Sequence, residues 1–287
     1  MSALFQLAFL AKEEETEIVM GLLALYVQTG WQEELLPTGE TRFLVFCQDK
    51  EEADTLQEAI LSRTREVQTS LSKREQEDWL ATWKKHFTPV LCGSLFVVLP
   101  PWRKDDYDAQ GRIPIIIEPK NAFGTGQHAT TALCLSLLAD AWENNQLNPS
   151  TAFLDLGTGS GILAIAAGKL GLTGKGLDID SDALHNAKEN AQQNNVADKL
   201  QFLHGSIEKV QGEHFGLVFA NILAEPLVQM AEAITQTLTD KGLLILSGIL
   251  DIQAERVQKT YLDLGLRQRS ELLQDEWCAL SFSKNSQ

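Results

Sequence analysis

Apolar and polar positions along the first seventy residues switch between two periods. Residues 3–10 form a largely apolar run that predicts a strand. Residues 13–27 repeat at helical spacing, with Ile18, Leu22, Leu25 and Tyr26 assigned to one face and acidic residues in the first turn, where they suit the helix dipole. Residues 31–36 and 41–47 predict two strands around Pro37-Thr38-Gly39. Residues 51–63 predict a helix that aligns Ala53, Leu56 and Ile60, and residues 65–70 a last strand. The order β-α-β-β-α-β is that of a ferredoxin-like sandwich.

Beyond it, residues 73–87 predict a helix with Trp79, Trp83 and Phe87 on one stripe, a pattern that suits packing better than ligand binding. Strands are expected at 95–99 and 113–118. A loop rich in glycine and hydroxyl residues then feeds a helix through residue 141, with Thr130 and Thr131 as its expected cap. From residue 151 onward strands and helices alternate, which predicts a parallel sheet covered on both faces. Its strands are expected at 151–156, up to Asp178, at 200–203, 217–222 and 242–247, and its helices at 161–170, 181–195, 226–238 and 251–264. Strands 266–273 and 277–282 are joined by Gln274-Asp275-Glu276, a link short enough for an antiparallel hairpin. The expected domains are 1–72, a connector 73–117, and 118–287.

Composition narrows the classes. The 287 residues suffice for two domains. No apolar run is long enough to span a bilayer, and the first residues lack the layout of a signal peptide. Cys47, Cys92, Cys134 and Cys278 are scattered, without C-x-x-C or metal-ligand spacing, as expected of reduced packing residues in a cytoplasmic protein. A net charge of −15 argues against a nucleic-acid groove and is compatible with a basic partner. Residues 1–72 hold 13 acidic and 5 basic side chains and no catalytic constellation, so recognition or support is their expected work.

The candidate chemistry gathers on Phe153-Leu154-Asp155-Leu156-Gly157-Thr158-Gly159-Ser160-Gly161-Ile162-Leu163-Ala164, read as strand, glycine turn and helix. Glycines at alternate positions let the chain turn tightly and let a ligand lie against the backbone. A dinucleotide fingerprint needs G-x-G-x-x-G with pyrophosphate on the helix start, and Ile162 stands where its third glycine belongs. Asp155, two residues before Gly157, would repel pyrophosphate and attract an ammonium or sulfonium. S-adenosylmethionine carries both cations and no phosphate, so the spacing favours it over NAD or FAD. Asp178 lies roughly 20 residues beyond Gly157, where a ribose-binding carboxylate belongs. Asn221 ends a strand; its amide oxygen can accept a hydrogen bond from an amine, or its side chain can cap the helix that carries Pro226. His128 is expected to form hydrogen bonds in its polar loop.

Taken together, these stretches resemble the ribosomal-protein methyltransferases of the PrmA type, which methylate large-subunit ribosomal protein L11. The resemblance rests on Ala122-Phe123-Gly124-Thr125-Gly126-x-His128-x-Thr130-Thr131, Asp155-x-Gly157-x-Gly159-Ser160-Gly161-Ile162-Leu163-Ala164, Gly176-x-Asp178-Ile179-Asp180, Asn221-Ile222-Leu223-Ala224 and a closing Glu276-Trp277-Cys278. It implies an α/β fold: a Rossmann-like class I methyltransferase sheet, mostly parallel with one antiparallel strand, and a smaller N-terminal ferredoxin-like α+β domain that recognises the substrate. It further implies that Thr131, Gly157, Asp178 and Asn221 contact S-adenosylmethionine, and that Asp155 and Gly159 complete the turn. The stretch from Phe123 through Thr130 to Thr131 would close over the cofactor. Two positions depart from the family pattern: Lys120 follows Pro119 where glycine is usual, and Ala129 follows His128 where proline is common.

The reaction implied is N-methylation of lysine side chains, with the α-amine a second candidate, on ribosomal protein L11. The enzyme is expected to be a monomer that needs no metal, nucleic acid or membrane. Asn221 is the expected aligning group. The rival readings are a methyltransferase of this fold acting on another protein's lysine or a small molecule, and a non-catalytic binding module.

Overall fold

Every second side chain of Thr41–Cys47 is buried, which makes this strand one face of a small core. The computed structural model describes residues 4–27, 31–36, 38–47, 49–74, 89–118 and 128–284. The chain divides into two compact units, Met1–Phe87 and Thr88–Gln287.

In the first unit β1 (Leu4–Ala11), β2 (Gln32–Leu35), β3 (Thr41–Cys47) and β4 (Gln68–Arg74) form an antiparallel sheet in the order β2-β3-β1-β4. Helices α1 (Glu13–Tyr26) and α2 (Lys50–Leu61) complete the ferredoxin-like βαββαβ order. Asp49 caps α2, accepting from Glu52 N at 2.9 Å, and Ala53, Leu56 and Ile60 are buried as the spacing predicts. The face of α1 differs from expectation. Val19 and Leu23 are buried against Leu7 and Phe9, while Ile18 is 47% and Tyr26 43% exposed. Apolar residues occupy both stripes of that helix, so periodicity alone could not choose between them. The last strand also begins later and ends later than the expected 65–70.

In the second unit seven strands form one sheet, in the order β10-β9-β8-β11-β12-β14-β13. They are β8 (Ala152–Leu156), β9 (Thr173–Asp178), β10 (Leu200–His204), β11 (Phe215–Asn221), β12 (Leu238–Leu250), β13 (Leu266–Gln274) and β14 (Trp277–Lys284). All neighbouring pairs are parallel except those made by β14, the one antiparallel strand. Asp275 (φ +53°) and Glu276 make the hairpin turn, and β14 inserts between β12 and β13.

The central strands are buried on both faces, as parallel strands are. Phe153, Leu217, Phe219 and Ile245 face α3 (Ala129–Glu143) and α4 (Ile162–Lys169). Leu154, Leu156, Val218, Leu244 and Leu246 face α6 (Ala224–Gln229), α7 (Ala231–Gln236) and α8 (Asp251–Asp263). Helix α5 (Ser181–Gln193) follows β9. The single helix expected over 226–238 is two short ones that break at Met230, and Leu238 already belongs to β12, which is longer than its apolar stretch.

A three-stranded sheet of β5 (Val90–Cys92), β6 (Phe96–Leu99) and β7 (Ile113–Ile116) packs into the first of these cores through Phe96, Val98 and Ile115. Strand β5 is too short to have been legible. Asn194, 1% exposed, pairs with the Ile116 peptide at both ends: Ile116 N donates to Oδ1 at 2.9 Å and Nδ2 donates to Ile116 O at 2.6 Å. Asn194→Ala is expected to destabilise the unit by roughly 2–6 kcal/mol, since it leaves two buried backbone groups unpaired at about 1–3 kcal/mol each. Urea unfolding of the variant checks this; a midpoint equal to that of the parent protein contradicts it.

All four cysteines are buried and free, as the spacing predicts. Burial pushes the Cys47 thiol up to about 11 and those of Cys92 and Cys278 to about 12, which leaves them inert near neutrality. The Trp79, Trp83 and Phe87 stripe, Lys120 and Phe123 lie outside the described residues.

Candidate active site

The carboxyl end of β8 lies between those of β9 and β11, where the chain's crossovers diverge to opposite sides of the sheet. Open parallel sheets bind ligands at such a switch point. The glycine turn predicted from the sequence occupies it. Gly157, Gly159 and Gly161 all have left-handed backbones (φ +74°, +54° and +81°), which L side chains adopt at a cost. Gly157 N and Thr158 N donate to Leu177 O at 2.8 and 2.9 Å, tying the turn to the end of β9. A Cβ at Gly161 would lie 3.0 Å from the Ala187 Cβ, so α5 packs directly on the turn.

Asp155 is 1% exposed and faces the turn itself. Its Oδ2 accepts from Thr158 Oγ1 at 2.6 Å and from Ala164 N at 3.2 Å, joining strand, turn and the start of α4. Burial pushes its pKa up from 3.8 to about 7, against the lowering effect of those two bonds; the Asp178 charge adds to the rise. A carboxyl raised in the folded state contributes stability that is fully present below its unfolded pKa and is lost as pH rises through about 7. The melting-temperature advantage of Asp155→Asn over the parent is therefore expected to grow between pH 5 and pH 8. An advantage that stays flat across that window contradicts the assignment.

Asp178, on the next strand, accepts from Gly159 N at 2.8 Å through Oδ2 and from Asp180 N at 3.0 Å through Oδ1. A carboxylate offers about four acceptor sites, so capacity remains at both oxygens. On the other side of β8, Ala220 pairs with Leu156, and Asn221 is therefore level with Gly157. Asp178 and Asn221 thus flank the turn from adjacent strands.

Asn221 does not cap the following helix. Leu223 holds that position, without a side-chain cap, and the buried Oδ1 of Asn221 has no hydrogen-bond partner among the described residues. Nor do Thr130 and Thr131 cap α3: His128 does, its ring accepting from Thr130 N at 3.4 Å, with Thr130 Oγ1 2.8 Å from Nδ1. The buried Oγ1 of Thr131 is likewise without a partner among the described residues. The His128 ring meets Trp277 edge-on at 4.8 Å, and Trp277 pairs with Leu250 at the carboxyl end of β12. The first turn of α3 therefore stands at the same sheet edge as Asn221. Buried polar atoms are nearly always satisfied, so two orphans at one sheet edge point to a missing partner there.

Sequence reasoning missed Asn190. This 2% exposed side chain accepts from Glu118 N at 3.2 Å and donates to Ser160 O at 2.9 Å, bracing the turn against the exit of β7. A polar residue on the inward stripe of α5, three positions after Ala187, was the available signal. Among the described residues no group of three or more His, Cys, Asp and Glu side chains is placed to hold a metal, and no helix is long and apolar enough to cross a membrane.

A sequence model of the family "Ribosomal protein L11 methyltransferase (PrmA)" matches residues 14–285. The ribosomal protein L11 methyltransferase of Syntrophotalea carbinolica is 40% identical over 222 residues, 77% of this chain and 71% of that protein. The one from Myxococcus xanthus is 36% identical over 248 residues, covering 86% and 83%. The crystal structure of a ribosomal protein L11 methylase from Lactobacillus delbrueckii subsp. bulgaricus superposes with a TM-score of 0.62 at 27% identity, covering 70% of this chain and all of that one. With the family pattern, the sheet order and the glycine turn in agreement, the chain belongs to the PrmA family of ribosomal protein L11 methyltransferases.

Proposed function

We propose that the chain transfers methyl groups from S-adenosylmethionine to lysine amines of ribosomal protein L11, at the carboxyl ends of β8, β9 and β11. The observation that carries this reading is the buried, unpartnered Oδ1 of Asn221 beside the glycine turn. S-adenosylmethionine supplies, when bound, an electrophilic methyl on a sulfonium.

The residues present fit that cofactor. The turn brings Gly157 and Gly159 backbone to the surface without side chains, and Asp178 keeps lone pairs for two ribose hydroxyls. Thr131 offers a second unpartnered oxygen at the same edge. Asp155 holds the turn from beneath, through Thr158 and Ala164. Phe123 and Thr130, at the two ends of the stretch that leads into α3, would border the cofactor.

Asn221 Oδ1 accepts a hydrogen bond from the neutral amine and directs the nitrogen lone pair at the methyl carbon. A free lysine titrates near 10.4, about three units above neutrality, and desolvation on entry to the site lowers that value. The amine releases its proton to water before attack. Alignment supplies much of the acceleration, an effect worth about 7–11 kcal/mol when near-attack geometry is held. The acidic first domain (residues 1–72) recognises the basic substrate protein, and the enzyme works as a cytoplasmic monomer without nucleic acid.

Transfer of labelled methyl into purified ribosomal protein L11, followed by mass mapping, tests the proposal. Label on lysine residues is the expected result; label confined to a small molecule, or none, contradicts it. Removing residues 1–72 is expected to abolish transfer to the protein while S-adenosylmethionine still binds, and retained protein methylation would contradict the recognition role.

A further inference from the structure

Ile222, the residue that follows Asn221, is held from two sides by glycines. On one side Gly157 faces the Ile222 side chain, and a Cβ at 157 would overlap Cγ2. On the other, Gly248 (φ +81°) faces the Ile222 backbone. A Cβ at 248 would overlap the Ile222 carbonyl oxygen and lie 2.8 Å from its carbon and 3.1 Å from its nitrogen.

A bulge makes this approach. Strand β12 pairs with β14 as Leu246↔Leu280 and resumes as Ile249↔Cys278, so Ser247 and Gly248 together stand opposite the single residue Ala279. A bulge re-aims a strand locally, and bulges recur beside active sites. This one is pinned: Ser247 pairs in register with Asn221 on β11, and its Oγ donates to Cys278 O at 3.0 Å on the other side. Gly248 is then the point at which the bulge presses on the Ile222 peptide, one residue from the amide that aligns the amine.

From this geometry we propose that Gly248 is a positioning residue for methyl transfer. Its missing side chain lets β12 seat the Ile222 peptide, and the seat sets the direction of the Asn221 side chain. The inference rests on the role proposed for Asn221.

The test compares Gly248→Ala, Asn221→Ala, their double variant and Gly265→Ala in the full chain, by kcat, S-adenosylmethionine Kd and melting temperature. Gly265 has a similar left-handed backbone (φ +84°) with open space around it, so Gly265→Ala carries the backbone strain without the collision. Gly248→Ala is expected to lower kcat about 10- to 100-fold, the scale of a small misplacement, with Kd within about threefold. Gly265→Ala is expected to lose some thermal stability and keep the parent kcat. In the Asn221→Ala background, Gly248→Ala is expected to cause no further loss, because both act on one geometry.

Parent-like kcat in Gly248→Ala alongside a lost kcat in Asn221→Ala overturns the inference and leaves the role of Asn221 standing. Losses that multiply in the double variant also overturn it. Parent-like kcat in Asn221→Ala overturns the role of Asn221 and this inference with it. If Gly248→Ala does not accumulate folded, Ile222→Ala releases the same peptide from the Gly157 side; lost turnover with retained binding supports the inference, and full turnover overturns it.

Discussion

Asn221→Ala is expected to lower kcat by about 100-fold or more while S-adenosylmethionine affinity changes only a few-fold. The side chain presents a buried oxygen that nothing in the described structure satisfies, one strand away from the glycine turn. In the proposed reaction that oxygen finds its partner in the amine N–H, and a misaligned amine loses the near-attack geometry; misplacement by about 1 Å is worth roughly 100-fold. Asn221→Asp sharpens the test. A carboxylate accepts the same hydrogen bond, yet its charge favours the protonated amine and so removes the nucleophile. The aspartate variant is therefore expected to stay slow and to recover in part as pH rises. Both variants are measured by single-turnover methyl transfer with saturating cofactor. Parent-like turnover in Asn221→Ala contradicts the role.

Asp178→Ala is expected to act in the opposite sense, on binding rather than turnover. Two hydroxyl hydrogen bonds to a charged acceptor are worth about 1.5–3 kcal/mol each, so their loss weakens affinity by about 100-fold or more. The variant also strips Gly159 N and Asp180 N of their acceptor, which loosens the turn. Calorimetry with S-adenosylmethionine reads the affinity, and kcat at saturating cofactor is expected to stay within a few-fold of the parent. A Kd unchanged in Asp178→Ala would remove the ribose contact from the account.

The sequence carried most of this arrangement because its signals were local. Three glycines at alternate positions after Asp155 mark a turn wherever they occur, and an acid at the end of the next strand falls at a fixed spacing from them. The ferredoxin-like order was legible for the same reason: each strand and helix of the first unit has its own period. What was hidden depends on partners distant in the chain. Nothing around residue 128 says that a histidine ring, rather than Thr130 or Thr131, caps α3, because the His128 ring is seated against Trp277. Asp155 looked like a group that faces the ligand, whereas Thr158 and Ala164 bind its carboxylate under the turn. Asn190 lies thirty residues from the Ser160 carbonyl it supports. Strand β12 begins at Leu238, which pairs with Phe215, and runs through the polar residues Thr239, Asp240 and Lys241, where its register with β11 shifts before Leu243 pairs with Leu217.

The most direct measurement is a crystal structure of the full chain with S-adenosylhomocysteine bound. The expected density lies across Gly157–Gly161, its ribose hydroxyls within hydrogen-bond distance of Asp178 and its sulfur on the side of Asn221. Density at any other edge of the sheet, or a sugar facing away from Asp178, would contradict the site proposed here.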